Sequence, residues 1–339
     1  VDLLATPEQE ELARAAARLI EERFPRERLR ALFDKPSSLD DGLWSAAAAA
    51  GWFALGIPES HGGAGGRLAD EILVFRELGR CLASGPFLST VLAARVAAFA
   101  GNGALARAVM EGAPVGLAIT ADEGSRDGSG GELVLVDAVG TGHVLFTDEG
   151  SAALYAVGDL GPIRAVPCVD PAVRLARVHP DRLVSVATTP AGVDQVWLRG
   201  QVLVAAMLVG VAERARDMAV EHARTRVQFD RPIGVNQAVK HPCADMAVRC
   251  ELAWAQTVVS ACCLDEARED AQFQALAARE VAGSAAERNA AAMLQIHGAM
   301  GFTFEHDAHL VVKRAFVLNS MLGSRRKILS RMIGLRVLT

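Results

Sequence analysis

An amide side chain followed by two glycines three residues apart forms the first group able to do chemistry: Gln295-Ile296-His297-Gly298-Ala299-Met300-Gly301-Phe302. Gln295 offers both a donor and an acceptor. Gly298 and Gly301 carry no side chain, so a ligand or a second backbone can approach closely, and Ala299 between them narrows that space slightly. A second group is Arg226-Val227-Gln228-Phe229-Asp230-Arg231-Pro232-Ile233-Gly234, continuing through Gln237 and Lys240-His241 to Ala244-Asp245-Met246. Arg226 and Phe229 stand at i and i+3 where a helix should end, which places them on one face. A guanidinium there can fork onto a pyrophosphate while the ring packs beside it. The same residues also suit a plainer structure: a helix-capping arginine, a core phenylalanine and a glycine-punctuated link.

The other titratable residues are weaker candidates. His297, His306 and His309 flank Glu305, but their spacing fits no common metal-ligand set, so no metal is expected. Glu305 is expected to be structural. Glu213 and Asp217 lie at i and i+4 on a helix, and the neighbouring Arg214 and Arg216 predict an ion-paired surface. Arg314, Arg325, Arg326 and Lys327 read as a solvated basic face or one turned to a partner's carboxylates. Lys240-His241 is expected to orient packing between helices. Six cysteines (Cys81, Cys168, Cys243, Cys250, Cys262, Cys263) form no CxxC pair. They predict buried thiols in a reducing compartment. The net charge of -5 argues against nucleic acid as a partner. The apolar run Val202 to Ala212 is far short of a membrane span. With no signal pattern at the N-terminus, a cytoplasmic location is expected.

These groups must be positioned by elements of three kinds. Residues 1–111 predict helices: Glu8 to Glu22, Leu43 to Ala50 capped by Ser38, Asp40 or Asp41, Leu68 to Leu82, and Ser89 to Ala100. Residues 112–190 predict a reduced β domain, an antiparallel sheet or barrel built on seven short Val/Leu-rich runs. Residues 191–339 predict four helices, near 196–224, 237–266, 271–297 and 309–334, in an antiparallel bundle. The fold class is α+β, mostly α.

This order of domains, and three motifs within it, resembles the acyl-CoA dehydrogenase family. Gly51-Trp52 with Pro58-Glu59-Ser60-His61-Gly62-Gly63 is similar to the family's Gly-Trp…Pro-Glu-x-x-Gly-Gly signature. The Arg226 and Gln295 segments are similar to its Arg-x-x-Phe and Gln-x-x-Gly-Gly-x-Gly motifs. Asp230 stands in place of a glycine, and Pro242 in place of an ordinary helix residue. The resemblance implies that Arg226, Gln228, Phe229, Gln237, Gln295, Gly298, Ala299 and Gly301 reach across an interface to the nucleotide part of a neighbouring subunit's FAD.

It also implies a deficiency. Family members remove a substrate α-proton with a carboxylate while the flavin takes the β-hydride. The two family positions for that base correspond to Leu322 and Gly200, so no catalytic residue is expected in this chain. The β domain departs as well. Thr120 to Asp127 and Leu145 to Gly150 are the nearest matches to the runs that hold substrate and flavin ring. The tryptophan is missing from them, and carboxylates have entered that would repel phosphates if they faced the site. Features serving a neighbour's FAD persist, while those serving the chain's own are degraded. The resemblance is therefore to the non-catalytic subunit of α2β2 steroid side-chain acyl-CoA dehydrogenases, which would complete the FAD site of a catalytic partner. A flavin monooxygenase on the same fold needs no α-proton base, and a flavin-free structural subunit needs no site. Both stand as alternatives.

Overall fold

The computed structural model describes residues 3–121, 131–190 and 195–335 of the chain. Its N-terminal layer is helical: α1 (Pro7–Arg23), α2 (Arg26–Ala31), α3 (Asp41–Ala49), α4 (Leu68–Arg80), α5 (Phe87–Phe99) and α6 (Gly103–Met110). Helix α1 opens with a capping box in which the Thr6 hydroxyl accepts from Gln9 N–H and the Gln9 side chain accepts from Thr6 N–H. Of the three expected caps for α3, Asp40 is the one that acts, accepting from Leu43 N–H. Neither α2 nor α6 is expected from the sequence; both are short, and neither carries a sustained apolar period.

Seven strands follow: β1 (Val115–Thr120), β2 (Leu133–Val136), β3 (His143–Thr147), β4 (Ser151–Ala156), β5 (Arg164–Val166), β6 (Leu175–Val178) and β7 (Ser185–Pro190). They form one open sheet in the order β5-β6-β2-β1-β3-β4-β7, so the barrel alternative is not the one adopted. Pairing is antiparallel except where β1 runs parallel to β3, which corrects the expectation of a wholly antiparallel sheet. Alternation gives the sheet two buried faces. Leu117, Leu145 and Leu154 join the main core, while Ala118, Leu133, Leu135 and Val144 build a second cluster with Leu160.

The C-terminal layer contains α7 (Val196–Thr225), a small hairpin of β8 (Val227–Gln228) and β9 (Arg231–Pro232), α8 (Gln237–Asp265), α9 (Ala271–His297), α10 (Ala308–Ser320) and α11 (Arg325–Gly334). The expected fourth helix is thus two helices, broken at Met321–Ser324. Leu322 there has φ 59° and Gly323 φ 124°, and Ser324 caps α11 by accepting from Lys327 N–H. Helix α7 is long and apolar enough to cross a membrane, but its apolar window is wholly buried in protein.

It is the axis of the molecule. At its crossing with α4 a side chain on Gly210 would meet the Arg76 carbonyl, and one on Gly79 the Met207 carbonyl, so the two backbones touch because both residues are glycine. Glu213, expected on an ion-paired surface, is instead buried and paired across that crossing with Arg76. Asp217 does meet the surface expectation, pairing with Arg216 and Arg80. Arg314 leaves the expected basic face: it is buried, with Nε 2.6 Å from Asp170 Oδ2. Of the six cysteines, Cys250, Cys262 and Cys263 are buried and the other three half-buried, all as free thiols. Burial pushes the Cys250 thiol up to about 12.

Candidate functional site

An up-down-up bundle brings the C-termini of α7 and α9 and the N-terminus of α8 to one end. Three histidines fasten that end. The rings of His222, on the last turn of α7, and His297, the last residue of α9, stack at 4.3 Å, and His306 packs on His297 at 4.7 Å. His297 Nδ1 is 2.8 Å from the Met293 carbonyl. The expected Arg226 and Gln295 segments, seventy residues apart in sequence, therefore share one surface.

On that surface the expected residues are open. Arg226 caps α7 and is exposed, and its guanidinium has no hydrogen-bond or ion-pair partner among the described residues. Gln228, Gln237, Gln295 and Ala299 are also exposed. Lys240 and His241 lie in solvent too, so they do not orient helix packing. Phe229 corrects the one-face expectation. It sits at the tip of the hairpin, where Phe229 and Asp230 have φ of 53° and 62°, the backbone of a two-residue I′ turn. The ring is 94% exposed. Non-glycine residues held in this region are strained, and such strain collects at functional sites. Gly298 has φ 61° and ψ −142°, open to glycine alone. Gly301 is buried, and a side chain there would press on His297 and Leu294 of the same chain. Its role is packing rather than room for a ligand.

Burial, together with the positive influence of His297, His306 and Arg226, lowers the His222 pKa. The unfolded chain then binds more protons than the folded one as pH falls below 6.5, the ordinary histidine value. Stability should fall with acidification across that range, and His222→Phe should remove part of the fall. Thermal midpoints between pH 7.5 and pH 5 (roughly one unit or more either side of the histidine value) measure it. Equal slopes in both proteins would contradict the assignment.

The two positions that the resemblance assigns to the base lie near the other end of α7 and touch each other. A side chain on Gly200 would come within 2.6 Å of Leu322 Cδ1 and 3.0 Å of Leu92 Cδ1. Leu322 is 4% exposed. Its carbonyl accepts from Trp197 Nε1 at 3.0 Å and from Gln201 Nε2 at 2.9 Å. The leucine is thus clamped, and aliphatic carbon fills the space a carboxylate would need. Beside Gly200, Arg199 forks onto the buried Glu71 carboxylate, an ion pair the sequence gives no local sign of.

Between the β3–β4 turn and the start of α7 is a cavity of about 200 Å³. Thr147, Asp148, Glu149, Thr189, Trp197 and Gln272 are among its lining residues. The acidic residues of the Leu145 to Gly150 run thus do face it. Asp148 Oδ1 accepts from Gly150 and Ser151 N–H, and Glu149 meets Arg331 of α11 at 2.6 Å. Most of the other expected run, from Asp122 to Asp127, lies outside the described residues.

The two ends differ in their fit to FAD. Near Leu322 the described residues do not fit it: the cavity they leave is below the roughly 300–1,000 Å³ of ordinary cofactor pockets, and two carboxylates face it. At the histidine-braced end, a free guanidinium, three exposed amides and an exposed ring suit a nucleotide diphosphate.

Family models described as acyl-CoA dehydrogenase, N-terminal domain, and acyl-CoA dehydrogenase, C-terminal domain, match residues 6–112 and 198–337. The chain belongs to the acyl-CoA dehydrogenase family. It is 33% identical to the acyl-CoA dehydrogenase IpdE2 of Mycobacterium tuberculosis, over 97% of this chain and 98% of that protein. Among solved structures, the ChsE4–ChsE5 complex from Mycobacterium tuberculosis matches with a TM-score of 0.83 at 25% identity, covering 98% of both chains. A variant of the Tcur3481–Tcur3483 steroid ACAD shares the fold with a TM-score of 0.83 at 24% identity, covering 96% of this chain and 97% of that one.

Proposed function

We propose that this chain is the non-catalytic subunit of a heteromeric acyl-CoA dehydrogenase, and that it completes the FAD site of a catalytic partner. One observation carries the reading. Gly200, where the resemblance puts one of the family's bases, lies near the start of α7, and Arg226 caps the far end of that helix, twenty-six residues on. At 1.5 Å per residue they are separated by about 39 Å. That separation favours a flavin whose nucleotide meets Arg226 while its ring lies in another subunit, with the base supplied there. The ChsE4–ChsE5 relative, itself a complex, supports a heteromeric arrangement. A steroid-derived acyl-CoA substrate rests on the resemblance to the subgroup that lacks the base.

Bound FAD supplies the hydride acceptor for desaturation of the acyl-CoA. In this chain, Arg226 would fork onto the diphosphate, Phe229 would pack beside it, and Gln228, Gln237 and Gln295 would hold polar edges of the nucleotide. Gly298, Ala299 and Gly301 would form the short turn that presents Gln295. None of these residues moves a proton. Arg226→Ala should weaken flavin retention by the co-expressed pair by about 1.5–3 kcal/mol, the worth of a charge-assisted hydrogen bond. Flavin absorbance after exhaustive dialysis measures this. Equal retention by variant and parent would remove Arg226 from the cofactor site.

A further inference from the structure

The loop after the flavin motif, residues 303–307, is held by a residue from the far side of the sequence. Arg30, on α2, directs its whole guanidinium into it. Nε and Nη2 donate to Asp307 Oδ1 at 2.9 and 2.7 Å. Nη1 and Nη2 donate to the Phe304 carbonyl at 3.1 Å each, and Nη2 to the Glu305 carbonyl at 3.0 Å. The guanidinium also lies over the Phe304 ring, 5.9 Å from its centroid.

The other anchor of the loop is His306, packed on His297 beside Gly298. Between these two anchors the contacts are lighter: the His309 ring stacks on Phe304 at 5.4 Å with Nε2 3.2 Å from the Phe304 carbonyl, and the Thr303 hydroxyl donates to the Met300 carbonyl at 3.0 Å. Thr303, Phe304 and Glu305 are exposed, and so are Met300 and Phe302 before them. Three acceptors converging on one planar, permanently charged fork define a single backbone path, which a lysine's point charge could not.

Resting on the reading above, we propose that Arg30 is a positioning residue for the flavin half-site. It fixes residues 303–307 so that Gln295 to Phe302 meets the partner subunit's FAD in one arrangement. The N-terminal helices thereby act on cofactor binding without touching the cofactor.

The test uses the co-expressed pair. Arg30→Ala should raise the flavin dissociation constant about tenfold, as expected when one charged contact stops holding its partner in place, while the isolated chain keeps its thermal midpoint within a few degrees. Added guanidinium ion at millimolar concentration should restore part of the affinity, and Arg30→Lys should not. Asp307→Asn, which leaves α2 intact, should shift affinity in the same direction by a smaller factor, and it decides the matter if Arg30→Ala fails to fold. Unchanged flavin affinity in an intact Arg30→Ala pair would overturn the inference and leave the half-site reading standing. A parent pair without flavin would overturn both.

Discussion

Leu322→Glu should yield a less stable chain and no dehydrogenase activity, although it restores the acid that the family uses. The new carboxylate would enter a space closed by Gly200 and Leu92, on a residue whose carbonyl is fixed by Trp197 and Gln201. Arg199, the cation next to Gly200, is already committed to Glu71. An unpaired buried charge costs about 3–5 kcal/mol. Burial would raise the carboxyl pKa, so the folded variant would bind more protons than the unfolded one. Its stability should drop as pH rises through that raised value and partly recover in acid. Denaturant titrations at two pH values measure both effects. A variant as stable as the parent, or one that bleaches flavin on adding acyl-CoA, would show that the pocket around Leu322 is still open.

Arg314→Ala should be comparably damaging for a different reason. This one side chain joins all three layers: Nε binds Asp170 in the loop between β5 and β6, Nη1 the Ala83 carbonyl and Nη2 the Ser84 hydroxyl, both after α4. Arg314 and Asp170 are 3% and 2% exposed. Removing the cation strands the Asp170 charge in the interior, again at about 3–5 kcal/mol. Asp170→Asn combined with Arg314→Met removes both charges and should recover much of that loss, because a buried pair adds little net stability over apolar packing. A thermal midpoint for Arg314→Ala within a degree or two of the parent would mean the layers are held by apolar contact alone.

Local signals made much of this fold legible. The period of α7, the Asp40 cap and the valine-rich strands each depend on neighbours a few residues away. The Arg226 and Gln295 motifs were likewise legible in their local residue types. Less legible were features fixed by distant contacts. Arg30, Arg314 and the Arg199–Glu71 pair bond across more than a hundred residues, and none stands in a pattern that marks it. The break at Met321–Ser324 had a signal in Gly323 followed by the capping Ser324, but the apolar period ran on through it. Phe229 was placed on one face with Arg226 by helical i+3 spacing, although the helix itself was expected to end near residue 224. The i+3 spacing cannot distinguish a helix from a turn in which both central residues take positive φ. At positions 200 and 322 the resemblance implied that the family's acid is absent. That the two residues fill each other's space became evident in three dimensions alone.

By the proposed reading this chain offers half a flavin site and leaves the ring to a partner's pocket. Flavin content, read by absorbance on the purified chain alone and co-expressed with a dehydrogenase-like partner that carries the acid, decides between that reading and a self-sufficient flavoprotein. A colourless chain alone and one FAD for each heterodimeric unit of the pair are expected. A chain that purifies by itself with a full complement of FAD would contradict it.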